Sequence, residues 1–207
     1  GVASAGRDVK IIGVCSTPAV AYLVKRRCAG AGVMISASHN PYEYNGIKIF
    51  DSNGFKLPDA LEEKIEALVL DDSSPITLPV GGEVGSVFMR EDYVDLYIDH
   101  LVESVNADLS GLKIAIDCAN GCASYTAEKF FKRLGADCHF MHHTPNGVNI
   151  NAGCGSTYMN DLIDYVNGHD VDLGLAFDGD SDRCLAVDEN GELVGFDTEL
   201  AKAVFEE

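Results

Sequence analysis

Positive charge is what this chain has least of. Fifteen Lys and Arg stand against 33 Asp and Glu in 207 residues, giving a formal charge of −18. Such a surface repels polyanions, which excludes a general nucleic-acid binder and a protein held by charge on an anionic membrane. Long apolar runs are also missing. No stretch approaches the roughly 20 residues that cross a bilayer, and no charged start followed by an apolar stretch marks a secretion signal. A cytoplasmic protein is the resulting expectation. No CxxC pair occurs among the seven Cys, and their odd number speaks against a disulfide framework and for reduced thiols packed as small apolar groups.

What is present is ordinary for a folded protein: 46% hydrophobic and 23% charged residues, enough chain for one large or two modest domains burying roughly 70% of the unfolded surface. The order of elements is informative. Residues 9–15 (VKIIGVC) read as a strand, and Ser16, Thr17 and Pro18 as the cap and first turn of a helix reaching about Arg27. A strand through residues 33–35 stops in the turn-rich SASHNPYEYNG, residues 47–50 resume as a strand, and a helix follows Pro58. Residues 71–85, rich in Ser, Pro and Gly, are expected to separate two domains, 1–80 and 81–207. Beyond them comes a helix near Glu91 and then strand–helix–strand–helix–strand over residues 113–177. The fold class predicted is α/β, two three-layer αβα domains with mixed, mostly parallel sheets.

In such folds ligands gather beyond the carboxyl ends of strands, which directs attention to the loops after Ile35 and Phe177. The second loop carries Asp178, Asp180 and Asp182 with small residues between them. Carboxylates at i, i+2 and i+4 of a tight turn converge on one cation, and an all-oxygen set selects a hard metal such as magnesium. A calcium loop of the EF-hand kind fits less well, because its sixth position is Arg183 rather than Gly and both flanks read as strands. A solvated acidic turn and an Asp-nucleophile phosphatase remain open on this loop alone. The first loop places Ser38 directly after a strand, beside His39 and before the Asn40-Pro41 turn, with Lys48 on the strand that follows. His139, His142 and His143 form the one histidine cluster, but a strand sends His139 and His142 to opposite faces, which opposes shared ligation.

Together, GVMISASHNPYEYNGIKIF at residues 32–50 and FDGDSDR at residues 177–183 resemble the phosphoserine and metal-binding loops of the α-D-phosphohexomutase superfamily. STPAVAYL at residues 16–23 and CGST at residues 154–157 are similar to the branch acting on phosphorylated amino sugars rather than on mannose or glucose phosphates. The resemblance implies that Ser38, not Ser36, carries a phosphoryl group. It also implies that Asp178, Asp180 and Asp182, with a phosphate oxygen on Ser38, hold one Mg2+. Arg183 would support the phosphoryl group, and His39 and Lys48 would lie near the reacting hydroxyl, where one or both assist proton transfer. A sugar bisphosphate would serve as activator and a phosphorylated amino sugar as substrate. The family has four domains, so the chain is expected to be a piece holding the latter part of the first and most of the second, with no useful turnover by itself. Oligomeric state stays open, a homodimer among the options. A noncatalytic divalent-metal module is the alternative from another class. Two positions depart from the family pattern: Ser181 stands where Gly is usual, which strains the turn if φ is positive there, and Tyr158 stands where His is usual.

Overall fold

The computed structural model describes residues 1–71 and 77–195; residues 72–76 of the expected boundary stretch and residues 196–207, amphipathic in sequence from Thr198 on, lie outside the described residues. The elements alternate as the pattern requires: β1 (Val9–Ile11), α1 (Thr17–Arg26), β2 (Gly32–Ser36), β3 (Gly46–Phe50), α2 (Asp59–Leu70), β4 (Val87–Met89), α3 (Asp92–Val105), β5 (Lys113–Asp117), α4 (Ala123–Arg133), β6 (Asp137–Met141), α5 (Asn160–Gly168), β7 (Leu173–Phe177), β8 (Cys184–Asp188) and β9 (Leu193–Val194). No described helix is long and apolar enough to cross a membrane.

The latter half is a five-stranded mixed sheet in the order β6-β5-β7-β8-β9. β5 pairs in parallel with β6 and β7, while β7 pairs antiparallel with β8. Strand alternation explains its layers. Ile114 and Ile116 of β5 pack with Ala127 and Phe131 of α4, whereas Ala115 turns to the opposite face and packs with Leu162 and Val166 of α5. Burying each of these Ile or Leu side chains contributes about 1.5–3 kcal/mol relative to leaving it exposed.

The first half is built of two smaller sheets, β1 with β4 in parallel and β2 with β3 antiparallel. β4 was not foreseen as a strand, being only three residues long and flanked by Gly85 and Arg90, and β1 ends four residues short of the expected Cys15. α1 starts as its sequence predicts: the Ser16 side chain accepts from the Ala19 N–H, and Pro18 sits in the first turn. One cluster joins the halves, with Ala19, Val20 and Val24 of α1 and Phe50 of β3 packed on Val94 and Ile98 of α3. α2 contributes no buried residue, and Leu61, Leu68 and Val69 on it are exposed.

Candidate active site

The acidic loop is the turn of the β7–β8 hairpin, and its burial excludes a merely solvated turn. Asp178 and Asp180 are both fully buried, and Asp182 lies at the exposed rim. Its flanks are antiparallel strands rather than the helices a calcium loop of the EF-hand kind requires. One ligand atom from each of Asp178, Asp180 and Asp182 lies within 4.8 Å of the others.

Close backbone packing explains how carboxylates come to be buried here. A Cβ on Gly179 would stand 2.5 Å from the Ser38 carbonyl oxygen, and one on Gly121 would stand 2.4 Å from the Gly179 oxygen, so only glycine permits either approach. The Cys122 N–H donates to that same Gly179 oxygen at 2.9 Å. Ser181 has φ 51, the left-handed region in which a side chain is strained. Its hydroxyl accepts from the Cys122 thiol at 3.2 Å. Burial pushes that thiol up to about 12, which keeps it a protonated donor.

The serine loop meets this turn from the other half. Ser38 is held at φ 54, and its N–H donates to the Ser36 hydroxyl at 3.0 Å, a local turn that fixes the bend. Ser36 therefore shapes the loop, while Ser38 lies close enough to Asp180 to add slightly to the forces that hold its carboxyl below the ordinary range. Lys48, opposite Met34 in the β2–β3 ladder, places its Nζ 2.6 Å from Asp180 Oδ2 and 3.2 Å from Asp182 Oδ2.

Thr17 was not anticipated as a site residue. Its hydroxyl donates to Asp180 Oδ2 at 2.5 Å and its N–H donates to the Asp180 carbonyl at 2.9 Å. In the sequence it is indistinguishable from an ordinary first-turn helix residue, since the contact spans 163 positions.

Two of the expected residues differ in how firmly they are placed. His39 follows Ser38 directly, and its Nδ1 is buried without a partner. The Arg183 N–H donates to Asp178 Oδ1 at 3.3 Å, but its guanidinium is largely exposed at the rim, its Nε 3.9 Å from Asp182 Oδ1. Tyr158 is exposed, and nothing in the structure explains its departure from the family pattern.

The electrostatics are asymmetric. Burial, reinforced by the charges of Asp180 and Asp182, raises the Asp178 pKa to about 6. Burial pushes Asp180 upward as well, yet hydrogen bonds from Lys48 and Thr17 and the Lys48 charge outweigh it, so the net shift is downward. Burial works against the Lys48 ammonium, but hydrogen bonding and charge attraction from Asp180 and Asp182 prevail and raise its pKa. A lysine serves as a base near neutral pH only where its surroundings lower its pKa, and the closest neighbours of Lys48 are the negative Asp180 and Asp182. Asp178 Oδ2 and Asp180 Oδ1 are buried without a hydrogen-bond partner among the described residues. Unpaired buried carboxylate oxygens are costly, and a hard divalent cation is the partner that an all-oxygen set fits.

A second group, Asp117, His142 and Cys154, is also compact. Its chemistry is different. Asp117 Oδ1 accepts from Ala119 N–H at 2.8 Å, and Oδ2 accepts from Gly155 N–H at 2.8 Å with His142 Nδ1 3.0 Å away. With both oxygens satisfied, Asp117 anchors the turns at the end of β5. His139 stacks on Tyr165, so the histidines of residues 139–143 do not converge.

Fold and site together define an α/β protein in which a serine loop from one half closes on a buried acidic turn of the other. Two family models match successive parts of it: phosphoglucomutase/phosphomannomutase α/β/α domain I over residues 1–75, and α/β/α domain II of the same family over residues 95–191. The chain belongs to the phosphoglucomutase/phosphomannomutase family. It is 50% identical over 201 residues to a phosphoglucosamine mutase of Acetivibrio thermocellus, covering 97% of this chain and 45% of that protein. It is 52% identical over 197 residues to that of Desulforamulus reducens, covering 95% and 44%. A solved phosphoglucomutase/phosphomannomutase family protein of Burkholderia thailandensis superposes with a TM-score of 0.78 at 25% identity, over 100% of this chain and 46% of that one. The chain thus spans under half the length of the curated relatives it matches.

Proposed function

We propose that the polypeptide to which these residues belong is a phosphoglucosamine mutase, interconverting glucosamine 6-phosphate and glucosamine 1-phosphate. In this reading residues 1–80 are the latter part of domain I and residues 81–207 most of domain II, and the protein works in the cytoplasm on precursors of amino-sugar nucleotides. The amino-sugar assignment draws on relatives at about half identity that are phosphoglucosamine mutases. The observation that carries the chemistry is the close packing of the Ser38 backbone on Gly179, between Asp178 and Asp180, beside two buried carboxylate oxygens with no partner among the described residues.

Ser38 gives its phosphoryl group to the free hydroxyl of the sugar phosphate: the serine Oγ–P bond breaks, the sugar O–P bond forms, and the hydroxyl proton leaves. The bisphosphate then reorients, and its other phosphoryl group returns to Ser38 Oγ, leaving the positional isomer. Added sugar bisphosphate acts as activator by charging Ser38 in the first cycle. Asp178, Asp180 and Asp182, with a Ser38 phosphate oxygen, would hold one Mg2+, which when bound supplies charge compensation for the transferring oxygens. Lys48 stays an ammonium and stabilises the same oxygens, and Arg183 closes over them from the rim. His39, adjacent to Ser38, takes the hydroxyl proton in place of Lys48. An Asp-nucleophile phosphatase is disfavoured, because Asp178 is fully buried and leaves a substrate phosphorus no line of approach to its carboxylate.

Conversion of glucosamine 6-phosphate by the longer polypeptide, compared with mannose and glucose 6-phosphates, tests the substrate. A preference of at least roughly tenfold in kcat/KM for the amino sugar is expected; a preference for mannose or glucose phosphate overturns the assignment.

A further inference from the structure

We infer that Asn151 is a positioning residue that presents Ser38 to the acidic turn, an inference that rests on the functional reading above. The Asn151 amide nitrogen donates to the Ser38 carbonyl at 2.8 Å and to the Asn40 carbonyl at 2.8 Å, across 113 and 111 positions of chain. A primary amide has two N–H groups, and both are spent on the carbonyls of the two residues that flank His39. The Ser38 carbonyl is thereby caught from two sides. Asn151 grips it from one, and on the other the backbone of Gly179, between Asp178 and Asp180, approaches so closely that a Cβ would meet it at 2.5 Å.

The clamp is itself anchored. Asn151 sits at φ 56, a conformation asparagine tolerates better than most residues. Its N–H donates to the Ala119 carbonyl at 2.9 Å, and Ala119 N–H donates in turn to the buried carboxylate of Asp117. A continuous hydrogen-bonded path therefore runs from the end of β5, through Ala119 and Asn151, to the loop bearing the nucleophile. Ile150, the preceding residue, packs over Gly179, so the same short segment touches both the turn and the serine loop. The bend at Ser38 is strained, with φ 54, and a strained loop keeps its shape only where neighbours over-determine it. In-line phosphoryl transfer loses rate steeply when the reacting oxygen moves by about 1 Å. Asn151 thus controls the orientation of Ser38 through the backbone of its loop rather than through the reacting hydroxyl.

The test uses the chain with Asn151→Asp, which keeps the shape but turns both donors into acceptors, and Asn151→Gly, which keeps the backbone conformation and removes the amide. Three quantities are read: Mn2+ affinity, amide hydrogen exchange over residues 37–41, and transfer of phosphate to Ser38 from a hexose 1,6-bisphosphate with Mg2+. Expected in both variants are Mn2+ affinity within about twofold of the parent, exchange in the loop faster by roughly tenfold, and phosphate uptake slower by roughly tenfold or more. Exchange and uptake both within about twofold of the parent overturn the inference. So does a joint collapse of Mn2+ binding and of protection in β5 and β7 in both variants, which assigns Asn151 a purely structural part. If the parent chain takes no phosphate on Ser38, the functional reading fails, and the loop exchange rates alone decide whether Asn151 holds the loop.

Discussion

Lys48 Nζ and Asp180 Oδ2 lie 2.6 Å apart, tying a strand of the first half to the acidic turn of the second across 132 positions of chain. The pair is unequal, since Asp180 is fully buried while the Lys48 side chain keeps 30% of its exposure. Removing the lysine leaves a buried carboxylate with one fewer cation, a loss of about 1–2 kcal/mol for a partly screened pair. Lys48→Met is therefore expected to lower the thermal midpoint in chelator. Mg2+ should restore more stability to the variant than to the parent, measured by calorimetry with and without the ion.

Thr17 offers a cleaner probe, because Thr17→Val conserves shape and removes only the hydroxyl that donates to Asp180 Oδ2. A buried hydrogen bond to a charged acceptor contributes about 1.5–3 kcal/mol. Urea denaturation should show a loss in that range, with divalent-ion affinity weakened because Asp180 is no longer held. An unchanged denaturation midpoint would remove Thr17 from the site.

Asp178 and Asp180 titrate in opposite senses. Asp178 binds its proton more tightly in the folded state, with a pKa of about 6 against an ordinary 3.8. Without metal, that group stabilises the fold fully below about 3.8, and the contribution is lost as pH rises through about 6. Asp180, whose pKa is lowered, contributes stability above the ordinary carboxylate range and loses it as pH falls through its depressed value. Metal must displace the proton on Asp178, so Mn2+ affinity is expected to be flat above pH 7. It should weaken by roughly tenfold for each unit below 6, as read by calorimetric titration between pH 5 and 8. Affinity independent of pH over that range would contradict the raised pKa.

The two serines of the loop have separable parts. Ser38→Ala should abolish phosphate uptake while leaving the fold intact. Ser36→Ala keeps the reacting hydroxyl but loses the acceptor for the Ser38 N–H, so uptake should persist at a rate reduced by a few-fold, the cost of about 1 kcal/mol of local turn. Peptide mapping after incubation with sugar bisphosphate distinguishes them.

Much of this arrangement was legible in the residues because it is local. The spacing of Asp178, Asp180 and Asp182 announces a convergent turn by itself, and the Ser16–Pro18 cap fixes the start of α1. What escaped reading depends on contacts between distant segments. Thr17 and Asn151 look like a helix-start residue and a loop asparagine until the halves close, and their partners lie 163 and 113 positions away. β4 was missed because three residues carry too little periodicity to be seen, and its pairing with β1 spans the expected boundary stretch. The sequence left the φ of Ser181 open, and neither its positive value nor the Cys122 thiol that supports its hydroxyl, 59 positions away, could be foreseen.

The central claim is that Ser38 and the acidic trio serve one phosphoryl group, and the most direct measurement is intact mass with peptide mapping of the chain after incubation with a hexose 1,6-bisphosphate and Mg2+. One phosphoryl group on Ser38, lost on chelation of Mg2+ before the incubation and in Asp180→Asn, is the predicted result. An unmodified Ser38 in a folded chain that binds Mg2+, or phosphate arriving there equally well without the ion and without Asp180, would contradict it.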